Sequence, residues 1–282
     1  MKKWRGMIFG LAALAAGAAV AQQAVKLGPD TTVAKAPASV GGPVAAPGAT
    51  PATLPAGAHE LSKTDVDTWL DGYMPYAIAR GDIAGAVVVV VKDGQVLTQR
   101  GYGFSDVEKR KPVSPETTLF RPGSVSKLFT WTAVMQLVEQ GKIDLDKDVN
   151  TYLDFKIPER NGKPITMRNI MTHTAGFEET VRHLIHDNPD KLVPLDKFVK
   201  VSLPNRVFDA GTTPAYSNYA TALAGYIVAR QSGMSFDDYV DQHIFKPLNM
   251  QHSSFRQPLP KNLQPFMSKG YHGASSPKAE RF

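Results

Sequence analysis

Residues 87–91 are five valines in succession, and Asp93-Gly94 follows them. A short, uniform β-branched run suits an extended strand covered on both faces, because in a helix each valine loses χ1 freedom against the preceding turn. Asp-Gly adopts the left-handed dihedrals of a two-residue hairpin turn, so the chain has to double back into a second strand over 96–103. Ahead of this hairpin, Ser62-x-x-Asp65 caps a helix whose stripe is Val66, Trp69, Leu70, Tyr73 and Ile78 and which ends at Gly81. The expected role of that stripe is packing. Gly101-x-Gly103 lacks the third glycine of a dinucleotide loop and lies on the second strand, so it carries no nucleotide reading.

The chain before this unit cannot share its core. Residues 1–21 read as an export signal: Lys2, Lys3 and Arg5 form a basic end, 7–18 an apolar run, and Ala19-Val20-Ala21 a small-residue cleavage site. The apolar run is short for a bilayer span, which needs about 20 residues, so a cleaved signal and a periplasmic or secreted product are expected. Residues 22–58 are rich in Ala, Pro and Gly with hardly any large apolar side chain, the composition of a flexible linker. The globular domain is expected over 59–282. There is no cysteine, so no disulfide forms. The formal charge of +6 falls to about +3 once the signal's basic residues leave, and the remaining Lys and Arg form no long run. Nucleic-acid binding is therefore not expected.

Past Glu108 to Thr118, a polar connection, the pattern turns helical. Leu128, Trp131, Thr132, Met135 and Val138 recur at three- and four-residue spacing until Gly141. Thr166 is placed to cap a short helix around 168–172, and Asp196 to begin another near Phe198. Residues 218–231 form a third helix with Gly233 past its end, and Ser235-x-x-Asp238 caps a fourth that Pro247 stops. Strands first and helices after is an α+β layout, with a helical lobe beside a sheet.

Phe120-Arg121-Pro122-Gly123-Ser124-Val125-Ser126-Lys127 is the turn into the first of these helices. Ser124 falls at the helix N-terminus, where unpaired N–H groups favour the anion formed when a serine adds to a carbonyl. Lys127, three residues on, shares its face, and a desolvated amine there could take the hydroxyl proton. The same residues also suit a helix cap and a solvent-directed lysine. Ser-x-x-Lys arises by chance roughly once in a chain of this length, and Ser275-x-x-Lys278 is such a match, with Pro277 inside it. Tyr216-Ser217-Asn218 precedes the third lobe helix. A phenol beside an ammonium can relay a proton, and an amide two residues on can bind a carbonyl or the lysine; a packing aromatic with Asn218 as helix cap fits the same letters. His183-x-x-His186 lacks the Glu of a zinc-peptidase helix and a third ligand, and reads as surface histidines.

Taken together these segments resemble the serine β-lactamase and penicillin-binding-protein superfamily, in its class C-like branch that also holds D-amino-acid peptidases and esterases. The resemblance runs from about Leu61 onward. Besides Phe120-x-Pro122-Gly123-Ser124-x-Ser126-Lys127 it rests on Gly101-Tyr102-Gly103, Met171-Thr172-His173-Thr174-Ala175-Gly176-Phe177, Tyr216-Ser217-Asn218-Tyr219 and Ile244-Phe245-Lys246-Pro247-Leu248-Asn249-Met250. It implies a β-lactamase/transpeptidase-like α+β fold, an antiparallel sheet with helices plus an all-helical lobe. It implies Ser124 as acylated nucleophile, Lys127 and Tyr216 as the proton-transfer pair, Asn218 as substrate and lysine ligand, and a structural role for the His173 segment. No metal and no cofactor are implied. The substrate would be a small molecule or peptidoglycan-derived, a β-lactam, D-Ala-type peptide or small ester, and association with the cell envelope would fit. The rival implication is a penicillin-recognising or peptidoglycan-associated binding protein with little or no turnover. Two departures stand out. Phe208-Asp209-Ala210-Gly211 has alanine where proline is common, and the family's Lys-Thr-Gly or His-x-Gly strand has no counterpart after Asn218. The C-terminal strands are therefore expected to be missing, as in the front part of a longer protein.

Overall fold

A computed structural model describes residues 57, 59–81, 83–180, 184–186 and 188–271. The expected signal, nearly all of the linker, His183 and the Ser275-x-x-Lys278 match lie outside those residues. From His59 the chain forms one unit.

Helix α1 (Lys63–Gly81) starts at the expected cap: Ser62 N–H and O–H donate to Asp65, and Asp65 N–H donates to Ser62 Oγ. It lies on a hairpin of β1 (Gly85–Lys92) and β2 (Gln95–Asp106), paired antiparallel with Val88 opposite Arg100 and Val90 opposite Thr98. Asp93 and Gly94 close the hairpin at φ 51° and 74°, both left-handed as the Asp-Gly pair requires. A short β3 (Lys111–Pro112), inside what the sequence presents as a polar connection, pairs with β2 at Phe104. The sheet order is β1-β2-β3. Gly101 is required by close approach, since a Cβ there would sit 2.4 Å from the Val113 carbonyl oxygen. That accounts for a glycine the sequence left without a role.

Two expectations about packing are corrected here. The valine run is a strand, but it is not covered on both faces: Val89 is 51 % and Val91 59 % exposed, and Val96 beside them is exposed too. In α1 the buried residues are Leu70 and Met74, while Trp69 is 61 % exposed and stacks on Tyr73 with centroids 4.7 Å apart. The reason is rotational. Asp67 accepts from Thr98 Oγ1 at 2.6 Å and Asp71 pairs with Arg100, which turns the 67, 70, 71, 74 face toward β2.

The second layer is the helical lobe. A 3₁₀ turn (Gly123–Ser126) runs into α2 (Lys127–Glu139), whose buried face is Thr130, Ala133, Val134 and Leu137. Leu128 and Met135, placed on the core stripe by periodicity, are exposed. Nearly the whole circumference of α2 is apolar, so spacing could not choose between faces. Helix α3 (Met167–Met171) has a capping box between Thr166 and Asn169. Helix α4 (Leu195–Val201) follows, then α5 (Asn218–Ser232), with Ser217 Oγ accepting from Ala220 N–H and Gly233 at φ 73° past its end. Helix α6 (Phe236–Val240), capped by Ser235, continues as a π-helical turn (Asp241–Phe245). Ala220, Leu223, Ala224, Ile227 and Val228 of α5 are fully buried against α2 and its neighbours, so α5 is the centre of the lobe. The chain then returns to the sheet layer, where Leu119 N–H donates to Phe266 O and Lys269 N–H to Ser105 O. Among the described residues no strand follows β3.

Candidate active site

Pro122 and Gly123 stop regular structure before α2 and place Ser124 on the 3₁₀ turn, one turn of backbone ahead of Lys127. Lys127 Nζ donates to Ser124 Oγ at 2.9 Å. The second segment is brought in by α5, whose first residue is Asn218. Just ahead of it, Tyr216 extends its hydroxyl to Ser124 Oγ and accepts from Lys127 Nζ at 2.5 Å. Lys127 Nζ also lies 4.7 Å from the Tyr216 ring centroid and donates to Asn218 Oδ1 at 2.7 Å. All four residues singled out by the two motifs therefore meet around one ammonium. The cap of α5 is Ser217, so Asn218 is free of that task.

Burial raises the Tyr216 pKa, and the hydrogen bonds from Lys127 and Ser124 together with the Lys127 charge more than offset it, so the phenol ends below its ordinary range. A phenol so placed ionises more readily while a serine hydroxyl and an ammonium remain bonded to it. Beneath it, the His173 ring packs on Tyr216 with centroids 4.5 Å apart, and its Nδ1 accepts from Ser217 N–H at 3.4 Å. Burial and the nearby Lys127 charge lower the His173 pKa, which keeps the ring neutral. His173 thus supports the tyrosine segment. Gly176, in the same turn, is at φ 81°, and a Cβ there would lie 2.1 Å from the Phe208 carbonyl oxygen, so only glycine lets these two loops touch.

Glu179 was not found by reading the sequence. Its carboxylate accepts from Asn218 Nδ2 at 2.7 Å and from Asn218 N–H at 2.9 Å. The only signal was an acidic pair directly after the Gly176-Phe177 turn, and 39 residues separate it from its partner. Beside the site a cleft of about 790 Å³, with Phe129, His252, Phe255 and Met267 in its wall, reaches the Gly123–Ser126 turn at Gly123 and Ser126, but Ser124 does not line it.

A serine on a turn, a lysine one helical turn on and a tyrosine from a second segment meet between a sheet and a helical lobe, an arrangement of the serine-hydrolase class. A sequence-family model described as Beta-lactamase matches residues 66–278, and the chain belongs to that family. The PbpX protein of Bacillus subtilis (strain 168) is 31 % identical over 183 residues, covering 65 % of this chain and 44 % of that protein. Among solved structures, an octameric penicillin-binding protein homologue from Pyrococcus abyssi aligns with TM-score 0.67 at 26 % identity, over 77 % of this chain and 51 % of that one. A class C beta lactamase aligns with TM-score 0.62 at 26 % identity, over 78 % and 58 %. The fold is that of these proteins, and this chain spans about half their length.

Proposed function

We propose that the chain is the nucleophile-bearing part of an exported serine hydrolase that works through an acyl-enzyme on amides or esters. The observation that carries this reading is the mutual hydrogen bonding of Ser124, Lys127 and Tyr216. Tyr216, as phenolate, takes the Ser124 proton while Oγ bonds to the substrate carbonyl carbon. Lys127, anchored by Asn218, is hydrogen-bonded to both oxygens and shares in the proton transfer, passing a proton to the phenolate and recovering one as the cycle closes. The oxyanion forms beside the Ser124 N–H, one of the first amides of a helical turn and so without a partner inside it. Tyr216 then returns the proton to the leaving amine or alcohol, and the acyl group stays on Ser124 until water repeats the sequence. Substrate class is drawn from the family: a β-lactam, a D-Ala-type peptide or a small ester. Export to the periplasm or the exterior is part of the proposal and rests on residues 1–21.

The test is covalent labelling of the full chain with a fluorophosphonate and with a penicillin, read by mass spectrometry, alongside turnover of nitrophenyl acetate. The expected adduct lies on the peptide containing Ser124 and vanishes in Ser124→Ala. An adduct on Ser126 instead, or ester turnover that survives Ser124→Ala, overturns the assignment. Penicillin acylation without ester turnover would favour a penicillin-recognising binding protein.

A further inference from the structure

We propose that Glu179 is a positioning residue that acts through Asn218, holding that residue by its side chain and its backbone together so that its carbonyl oxygen stays on Lys127. One carboxylate oxygen takes the Asn218 side-chain N–H and the other its backbone N–H. A carboxylate only accepts, so the amide end that faces Glu179 has to be the NH2, and the end left for Lys127 has to be the oxygen. An ammonium would impose the same choice by itself, because it only donates. A neutral amine would not, since it also carries a lone pair. In any step where Lys127 has given up a proton, Glu179 is what keeps Oδ1, and not Nδ2, at 2.7 Å from Nζ. The backbone half of the fork has a second effect. Asn218 is the first residue of α5, so the carboxylate also sits at the positive end of a 15-residue helix.

Two roles for Glu179 predict opposite signs at Tyr216. The charged groups around that phenol are Lys127 and Glu179, with the neutral His173 ring beneath it. As a bare negative charge, Glu179 opposes ionisation of Tyr216, so its removal would lower the tyrosine's pKa. As the clamp on Asn218, its removal frees one end of the tether on Lys127, the Lys127–Tyr216 hydrogen bond loosens, and the tyrosine's pKa rises. The measurement is an ultraviolet phenolate titration of the full chain, taken as the difference between each protein and its Tyr216→Phe counterpart.

In Glu179→Ala an upward shift of about half a unit or more is expected. In the Asn218→Ala background, where the side chain that tethers Lys127 is gone and only the backbone N–H is left to Glu179, the same substitution is expected to shift Tyr216 downward. Glu179→Gln keeps the volume and offers one acceptor in place of two. It should give a smaller upward shift and serves as the second variant should the alanine protein misfold. A fall or no change at Tyr216 with Asn218 intact overturns the proposal. The reading of Lys127 as a proton-transfer group gives the clamp its purpose, but the titration needs neither turnover nor labelling. A chain that fails to label at Ser124 therefore leaves its result readable.

Discussion

Ser124, Lys127 and Tyr216 hold one another through short hydrogen bonds at a position open to solvent, with Tyr216 46 % exposed. Few packing contacts are lost when such side chains are shortened, whereas the proposed proton transfer leaves neither partner a substitute. Lys127→Ala and Tyr216→Phe are therefore each expected to slow acylation of Ser124 by about 10²-fold or more, with little change in thermal midpoint. Stopped-flow reaction with the penicillin probe measures the first and calorimetry the second; wild-type acylation in either variant would remove that residue from the scheme. Ser124 and Lys127 were legible from helix spacing, whereas Tyr216 and Asn218 were singled out through the family resemblance, because on their own those letters suit a packing aromatic and a helix cap equally well. Glu179 was not, because its contact with Asn218 depends on how the 173–179 loop is folded and leaves no periodic trace.

At the scale of elements, Asp154 shows how the lobe is tied together. It follows the 3₁₀ turn Val149–Tyr152 and accepts from Lys200 Nζ of α4 and Tyr226 Oη of α5, each at 2.8 Å. The Lys200 hydrogen bond, seconded by Tyr226, lowers its pKa from the ordinary carboxylate range to about 2. A carboxylate depressed on folding stabilises the native state fully above its unfolded pKa, and that contribution fades as pH falls through the folded one. Below neutrality the thermal midpoint should thus drop between about pH 4 and pH 2. Asp154→Asn should lower the midpoint at pH 7 and flatten this part of the profile. Superimposable profiles for the two proteins would mean the pair does not contribute. Several caps and turns of the lobe were readable in advance, because Thr166, Ser235 and Gly233 each do local work at a helix end, whereas α5 is capped by Ser217 and not by the Asn218 that the sequence offered. The rotation of α1 and α2 was not: it is set by Asp67, Asp71 and the choice among several apolar faces, which only tertiary contact decides.

For the whole molecule, the sheet layer is the open side. Among the described residues β1 pairs only with β2, and Val89, Val91 and Val96 stand exposed next to that outer edge. An unpaired strand with apolar side chains is a template for association. The full chain is expected to self-associate with rising concentration, and Val89→Thr combined with Val91→Lys should suppress this at a stability cost within about 0.5 kcal/mol, the usual range for surface changes. Light scattering across a dilution series decides the matter, and association unchanged by the pair of substitutions would locate the sticky surface elsewhere. The other side of the molecule leads to a different outcome. Helix α2 runs from Lys127 to Glu139, and its inner face, Val134 and Leu137, is buried in the core it shares with α5. The amide hydrogens of that inner face are expected to exchange with solvent only through an opening that unseats α5 as well. The exposed Gly123–Ser126 turn lies outside that protected face, so its amides are expected to exchange well before those of the helix it leads into: the proposed acylation site rides on a rigid helix while its own N–H groups stay open to whatever approaches.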